Sequence, residues 1–112
     1  MVDAALKGGT ANRRSVFEVF GRRLPATRRF GVVAGTGRIL EALERFVFLP
    51  EQIDWLHREK IVSDEALDFL KDFRFSGDIH GYAEGECYFE GSPILTVEST
   101  FAEAVLLETL VL

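Results

Sequence analysis

The sequence predicts an α+β domain of short antiparallel strands and flanking helices. Three observations carry that expectation. Val16, Phe17, Val19 and Phe20 form a β-branched and aromatic run interrupted only by Glu18. Ile39, Leu40, Leu43, Phe46 and Val47 recur at helical spacing. Beyond Phe75, Gly77, Gly81, Gly85 and Gly91 cut the chain into short runs, as tight turns between short strands do.

In chain order, residues 1–7 predict a first helix, with Ala4, Ala5 and Leu6 as formers and Gly8 and Gly9 as its stop. Residues 16–20 predict a strand, and Leu24, Pro25, Ala26 and Thr27 a turn. Residues 29–34 predict a second extended run, broken by Gly35 and Gly37. The 37–46 window then predicts an amphipathic helix. Pro50 suits the first turn of the next helix, with Ile53, Trp55 and Leu56 as its apolar contacts. Ser63 is the expected N-cap of a helix running to Phe73, with Leu67, Leu70 and Phe73 on one face. Short strands follow around 78–80, 82–84, 86–89 and 93–97. Thr100 and Glu103 have the spacing of a capping box, opening a helix through Val105, Leu106, Leu107, Leu110, Val111 and Leu112. The chain ends inside this apolar run. The helix is therefore expected to be truncated, and the chain to be the N-terminal part of something larger.

At 112 residues the chain has the length of one domain, and a 47% hydrophobic content with ten phenylalanines is enough for a packed core. Cys87 is the only cysteine, so an internal disulfide is excluded. It is expected to be a small buried hydrophobe, and no metal site is expected. No segment reaches the roughly 18 apolar residues of a membrane span. No basic-then-apolar leader opens the sequence, so a cytoplasmic location is expected.

Charge is distributed unevenly. Residues 1–38 hold Lys7 and seven arginines against Asp3 and Glu18, a local charge of +6, while residues 39–112 hold five basic and sixteen acidic residues, a charge of −11. The chain as a whole is acidic, at −5, which argues against nucleic acid or an anionic membrane as partner. The basic window fits a small anion, a phosphate or carboxylate, because the guanidinium fork donates two hydrogen bonds at once. Of its three arginine pairs, Arg13 with Arg14 and Arg28 with Arg29 read as solvated rim. Arg22 and Arg23, at the end of the first strand, are the anion-binding candidates.

Other chemistry is less well supported. Gly35, Thr36 and Gly37 form a lone G-x-G without the third glycine of a dinucleotide fingerprint. They read as a strand-to-helix turn whose N–H groups suit an anion. His57 reads as a solvated helix residue and His80 as structural. Glu84, Glu86, Glu90 and Glu98 alternate with apolar residues as on a half-exposed sheet. A carrier domain with a modifiable lysine at a hairpin tip is disfavoured, since Lys71 is the last lysine.

Longer motifs carry a resemblance. Phe17-Glu18-Val19-Phe20-Gly21-Arg22-Arg23-Leu24-Pro25, followed by Phe30-Gly31-Val32-Val33-Ala34-Gly35, resembles the N-terminal region of the nicotinate phosphoribosyltransferases. So do Gly77-Asp78-Ile79-His80-Gly81-Tyr82-Ala83-Glu84-Gly85-Glu86, Phe89-Glu90-Gly91-Ser92-Pro93-Ile94-Leu95 and Glu108-Thr109-Leu110-Val111-Leu112. The resemblance covers residues 1–112 in order. It implies an α/β-hammerhead-like N-terminal domain that packs on a catalytic α/β barrel absent from this chain. It further implies a homodimer in which the N-terminal domain of one subunit closes the barrel site of the other. The implied reaction joins nicotinate to phosphoribosyl pyrophosphate, giving nicotinate mononucleotide and pyrophosphate, an entry step of NAD salvage. ATP hydrolysis is coupled through a phosphorylated histidine, which makes the family ATP-dependent ligases. By position, the resemblance gives Arg22 and Arg23 the task of reaching the phosphate-rich substrate. ATP and Mg²⁺ are implied for the full-length parent and no cofactor for residues 1–112.

The chain departs from the family pattern at its start. Met1 stands where the family's Thr-Asp-x-Tyr-x-x-Thr-Met motif ends, so the pyridine-stacking tyrosine is missing. Neither His57 nor His80 matches the phosphorylated histidine. Residues 1–112 alone are therefore expected to be inactive. The alternative is a non-catalytic binding or assembly module built on the same domain.

Overall fold

A computed structural model describes the chain from Met1 to Leu112. Its elements, in order, are α1 (Val2–Lys7), β1 (Arg14–Phe20), β2 (Gly31–Val32), α2 (Thr36–Glu44), α3 (Pro50–Arg58), α4 (Asp64–Lys71), β3 (Asp78–Gly81), β4 (Cys87–Tyr88), β5 (Pro93–Thr100) and α5 (Phe101–Val111). The mixture of helices and small antiparallel sheets is the expected α+β class.

The larger sheet has the order β1-β5-β3, with β5 antiparallel to both neighbours. The register pairs Phe17 with Val97 and Val97 with Ile79, so these three apolar side chains share the inner face. Along β5, Leu95, Val97 and Ser99 are buried and the residues between them are half-buried. The smaller sheet is the pair β2-β4, in which Gly31 faces Tyr88 and Val32 faces Cys87.

α5 places apolar residues around most of its circumference, and its surroundings explain this. Leu107 joins a core cluster with Leu43, Leu95 and Val97. Ala102 joins a second with Ala5 and Ala11. Leu106 packs against a third, built on Ile53, Leu67 and Leu70. Three phenylalanines, Phe46, Phe48 and Phe73, meet edge to face with ring centroids 5.7–6.0 Å apart.

The start of α5 is satisfied from outside the helix. Phe101 N–H donates to the Arg13 carbonyl (2.8 Å), Ala102 N–H to the Ala11 carbonyl (3.0 Å) and Glu103 N–H to Thr100 Oγ1 (3.4 Å). The expected capping box closes from one side only. Glu103 does not reach back to Thr100, which belongs to β5; its Oε1 accepts instead from Ser76 Oγ (2.9 Å). A reciprocal contact that the sequence does not announce opens α3, where Gln52 Oε1 accepts from Leu49 N–H (2.8 Å). Ser63 caps α4 as expected, accepting from Ala66 N–H (3.3 Å). The Ser63 hydroxyl also donates to Asp3, joining α4 to α1. That bond and the Lys7 ammonium hold the Asp3 carboxyl down at about 2.

Several boundaries differ from expectation. The first strand starts earlier, at Arg14, because its pairing with Thr100 extends the ladder past the β-branched run. The extended run at 29–34 shrinks to Gly31–Val32, since only these residues find a partner strand. No strand forms at 82–84, and 86–89 is reduced to Cys87–Tyr88. The fourth helix stops at Lys71, although Phe73 is still buried as expected. Cys87 is exposed, not buried: β4 has one partner strand, and Cys87 faces solvent across from exposed Val32.

Candidate functional site

The arginine pairs do not converge on a single point. Arg13 and Arg14 stand at the start of β1 and Arg22 and Arg23 just past its end, so about eight residues of extended chain, roughly 26 Å, separate them. Arg14 is also engaged, its Nη2 donating to Glu98 Oε2 across the sheet (2.8 Å). Arg22 and Arg23 lie on the loop of residues 21–30, which also carries Arg28 and Arg29. All four are exposed, and none belongs to the chain's ion pairs, which join Lys7 to Asp3, Arg14 to Glu98, Arg58 to Glu59 and Lys71 to Asp68. The site is therefore one loop with four free guanidinium groups, not an arginine cluster gathered from the whole window.

The base of this loop is closed tightly. The Tyr88 ring lies over both ends: a Cβ added at Gly31 would fall well inside contact distance of the ring, and one at Gly21 would meet it at 3.1 Å. Glycine at position 31 therefore reflects a close approach by the facing aromatic, not a need for unusual backbone angles. Gly91 N–H donates to the Gly21 carbonyl (2.9 Å), and Leu24 N–H donates to Glu90 Oε1 (2.6 Å). Phe20 and Phe30, the residues just before Gly21 and Gly31, are about half exposed, at 50% and 49%.

The second anion candidate, the start of α2, is already filled by the chain itself. Glu84 Oε1 accepts from Gly35 N–H and Gly37 N–H (2.9 Å each), and its Oε2 accepts from Gly35 N–H (3.0 Å). These donors, with Thr36, lower the Glu84 pKa. Gly35, at φ 102°, supplies the left-handed turn into α2, and its N–H donates to Glu84. Residues 84–98 thus do not form the expected acidic sheet face. Only Glu98 lies on a strand. Glu84 caps α2, Glu86 Oε2 accepts from Ala83 N–H (2.6 Å) and Glu90 accepts from Leu24 N–H. Glu84, Glu86 and Glu90 recur because each accepts from a backbone N–H in a loop or turn that lacks another partner.

The histidines take no part. His57 is exposed on α3, 4.0 Å from Asp64, and His80 is exposed on β3. No group of three or more His, Cys, Asp or Glu side chains is placed to hold a metal ion. No helix is long and apolar enough to cross a membrane.

Fold and loop together define a small α+β domain that presents a cationic loop on a rigid base. Over residues 1–112 the chain matches the family described as the nicotinate phosphoribosyltransferase (NAPRTase) N-terminal domain, and it belongs to that family. It is 57% identical over 112 residues to nicotinate phosphoribosyltransferase pncB1 of Mycobacterium tuberculosis, covering 100% of this chain and 25% of that protein. With nicotinate phosphoribosyltransferase of Bacillus subtilis the identity is 32% over 112 residues, with 100% and 23% covered. The crystal structure of human nicotinic acid phosphoribosyltransferase superposes with a TM-score of 0.87 at 25% identity, covering 97% of this chain and 22% of that one. The chain spans about a quarter of the length of the relatives it matches.

Proposed function

We propose that the chain is the N-terminal part of a nicotinate phosphoribosyltransferase. The complete enzyme is a cytoplasmic glycosyl-transferring, ATP-dependent ligase of NAD salvage, forming nicotinate mononucleotide and pyrophosphate from nicotinate and phosphoribosyl pyrophosphate. The observation that carries this reading is the family match over all of residues 1–112. The free guanidinium groups on the 21–30 loop support it, because phosphoribosyl pyrophosphate is strongly anionic.

In this reading the α/β-hammerhead-like domain holds Arg22 and Arg23 against substrate bound in a barrel domain, with the active site completed across a homodimer. The two guanidinium groups bind phosphate oxygens and orient the substrate, neutralising charge that grows on pyrophosphate as it leaves. In this reading ATP and Mg²⁺ belong to the full-length enzyme, and none of residues 1–112 is assigned to them.

The test uses a full-length enzyme carrying this chain as its N-terminal domain. Arg22→Ala or Arg23→Ala should raise the KM for phosphoribosyl pyrophosphate, since a charged hydrogen bond is worth roughly 1.5–3 kcal/mol. Residues 1–112 alone, assayed beside it, should form no nicotinate mononucleotide. An unchanged KM in both variants returns these arginines to the solvated rim.

A further inference from the structure

We infer that Tyr88 and Glu90 are positioning residues, which set the orientation of Arg22 and Arg23 without touching substrate. The inference rests on the phosphate-binding reading of those arginines and goes beyond it by identifying what aims them.

The argument begins with the backbone groups on either side of the pair. Gly21 immediately precedes Arg22, and Leu24 immediately follows Arg23. The Gly21 carbonyl accepts from Gly91 N–H (2.9 Å), and Leu24 N–H donates to Glu90 Oε1 (2.6 Å). Both flanks of the arginine pair are thus pinned to adjacent residues of a single turn. That turn is itself held. Ser92 N–H donates to the Phe89 carbonyl (3.0 Å), Phe89 N–H donates to Ser92 Oγ (3.2 Å), and Gly91 takes the left-handed conformation at φ 74°.

Tyr88 adds the second constraint. It pairs with Gly31 in the β2-β4 ladder, and its ring spans from Gly31 to Gly21. The two ends of a ten-residue loop are thereby fixed against one rigid aromatic plate. Glu90 is committed to a backbone N–H and forms no ion pair with a guanidinium, so the arginine charges stay available. A loop free at its base would have to be ordered each time substrate binds. Here the ordering is completed on folding, which lowers the cost of binding.

The experiment compares Tyr88→Ala, Tyr88→Phe, Glu90→Ala and the two arginine variants in the full-length enzyme. Tyr88→Ala and Glu90→Ala should raise the KM for phosphoribosyl pyrophosphate about three- to tenfold, the range for re-ordering one or two flexible side chains on binding. The KM for nicotinate should stay within about twofold of wild type, well short of a tenfold change. Tyr88→Phe keeps the ring and should restore the wild-type KM. Glu90→Ala should also speed amide exchange at Leu24. If Tyr88→Ala lowers the yield of folded enzyme, Glu90→Ala carries the test, because its side chain is exposed. The positioning role is overturned if Arg22→Ala and Arg23→Ala raise the KM while Glu90→Ala does not. It is equally overturned if kcat and both KM values move together and Tyr88→Phe restores nothing, the mark of a general loss of structure. If instead neither arginine variant alters the KM, the phosphate-binding reading itself fails.

Discussion

Single carboxylates determine much of how this domain is held together. Glu84 supplies the anion that the start of α2 calls for, and Asp3 accepts from Ser63 while pairing with Lys7 at 2.9 Å. The pKa of each is lowered on folding: Glu84 falls below its ordinary carboxylate value, and Asp3 falls from 3.8 to about 2. For such groups the stabilising contribution is complete above the unfolded pKa and is lost as pH falls through the folded one. The urea midpoint of wild type should therefore fall as pH drops from about 5 to about 2, and an Asp3→Asn, Glu84→Gln double variant should follow a shallower curve over that window. Equal slopes for the two proteins would show that neither carboxylate is engaged in solution. The sequence reveals that the Gly35, Thr36, Gly37 turn suits an anion but not that Glu84, 47 residues beyond Gly37, supplies one. Such a pairing depends on the folded path of the chain, which no local spacing encodes. The same holds for Glu90 and Leu24, and it explains why Arg22 and Arg23 are legible as candidates while the groups that hold them are not.

At the scale of elements, the β2-β4 pair is only two residues long on each strand, too short to be stable through its own ladder. The Tyr88 ring lying on Gly31 compensates. Gly31→Ala should consequently destabilise the domain by about 1–3 kcal/mol, as overpacking does. Combining it with Tyr88→Ala should cost less than the sum of the two single changes, because the methyl group then has room. A urea-unfolding double-mutant cycle measures this, and simple additivity would mean that the ring and the glycine are not in contact. Elements with strong periodicity or a cap were legible: β1, α2, α3 from Pro50 and α4 from Ser63. Of the short strands, the run at 78–80 was legible and forms β3, whereas the 29–34 run was overdrawn, since Arg29 and Ala34 have strand-compatible residues around them but no partner strand opposite.

At the scale of the whole molecule, the chain is elongated, measuring 49 × 27 × 25 Å with a radius of gyration of 16.3 Å, where a compact domain of about 100 residues has about 13 Å. α5 holds this extended body together by joining three separate core clusters. Leu107→Ala should thus cost about 2–5 kcal/mol, a large share of the roughly 5–15 kcal/mol typical of a domain. Urea denaturation would check it, and a loss below about 1 kcal/mol would show that the clusters hold without α5. The β1–β5 ladder has a further consequence, for the order of events in folding. Its register pairs Arg14 with Thr100 and Phe20 with Pro93, so the first strand finds its neighbour only in residues 93–100. Closing so long a stretch of chain is entropically costly and slow compared with forming a helix. During synthesis the helices α2, α3 and α4 emerge and are able to form while β1 waits. The arginine loop, which hangs from the end of β1, reaches its final shape only once residues 93–100 are present.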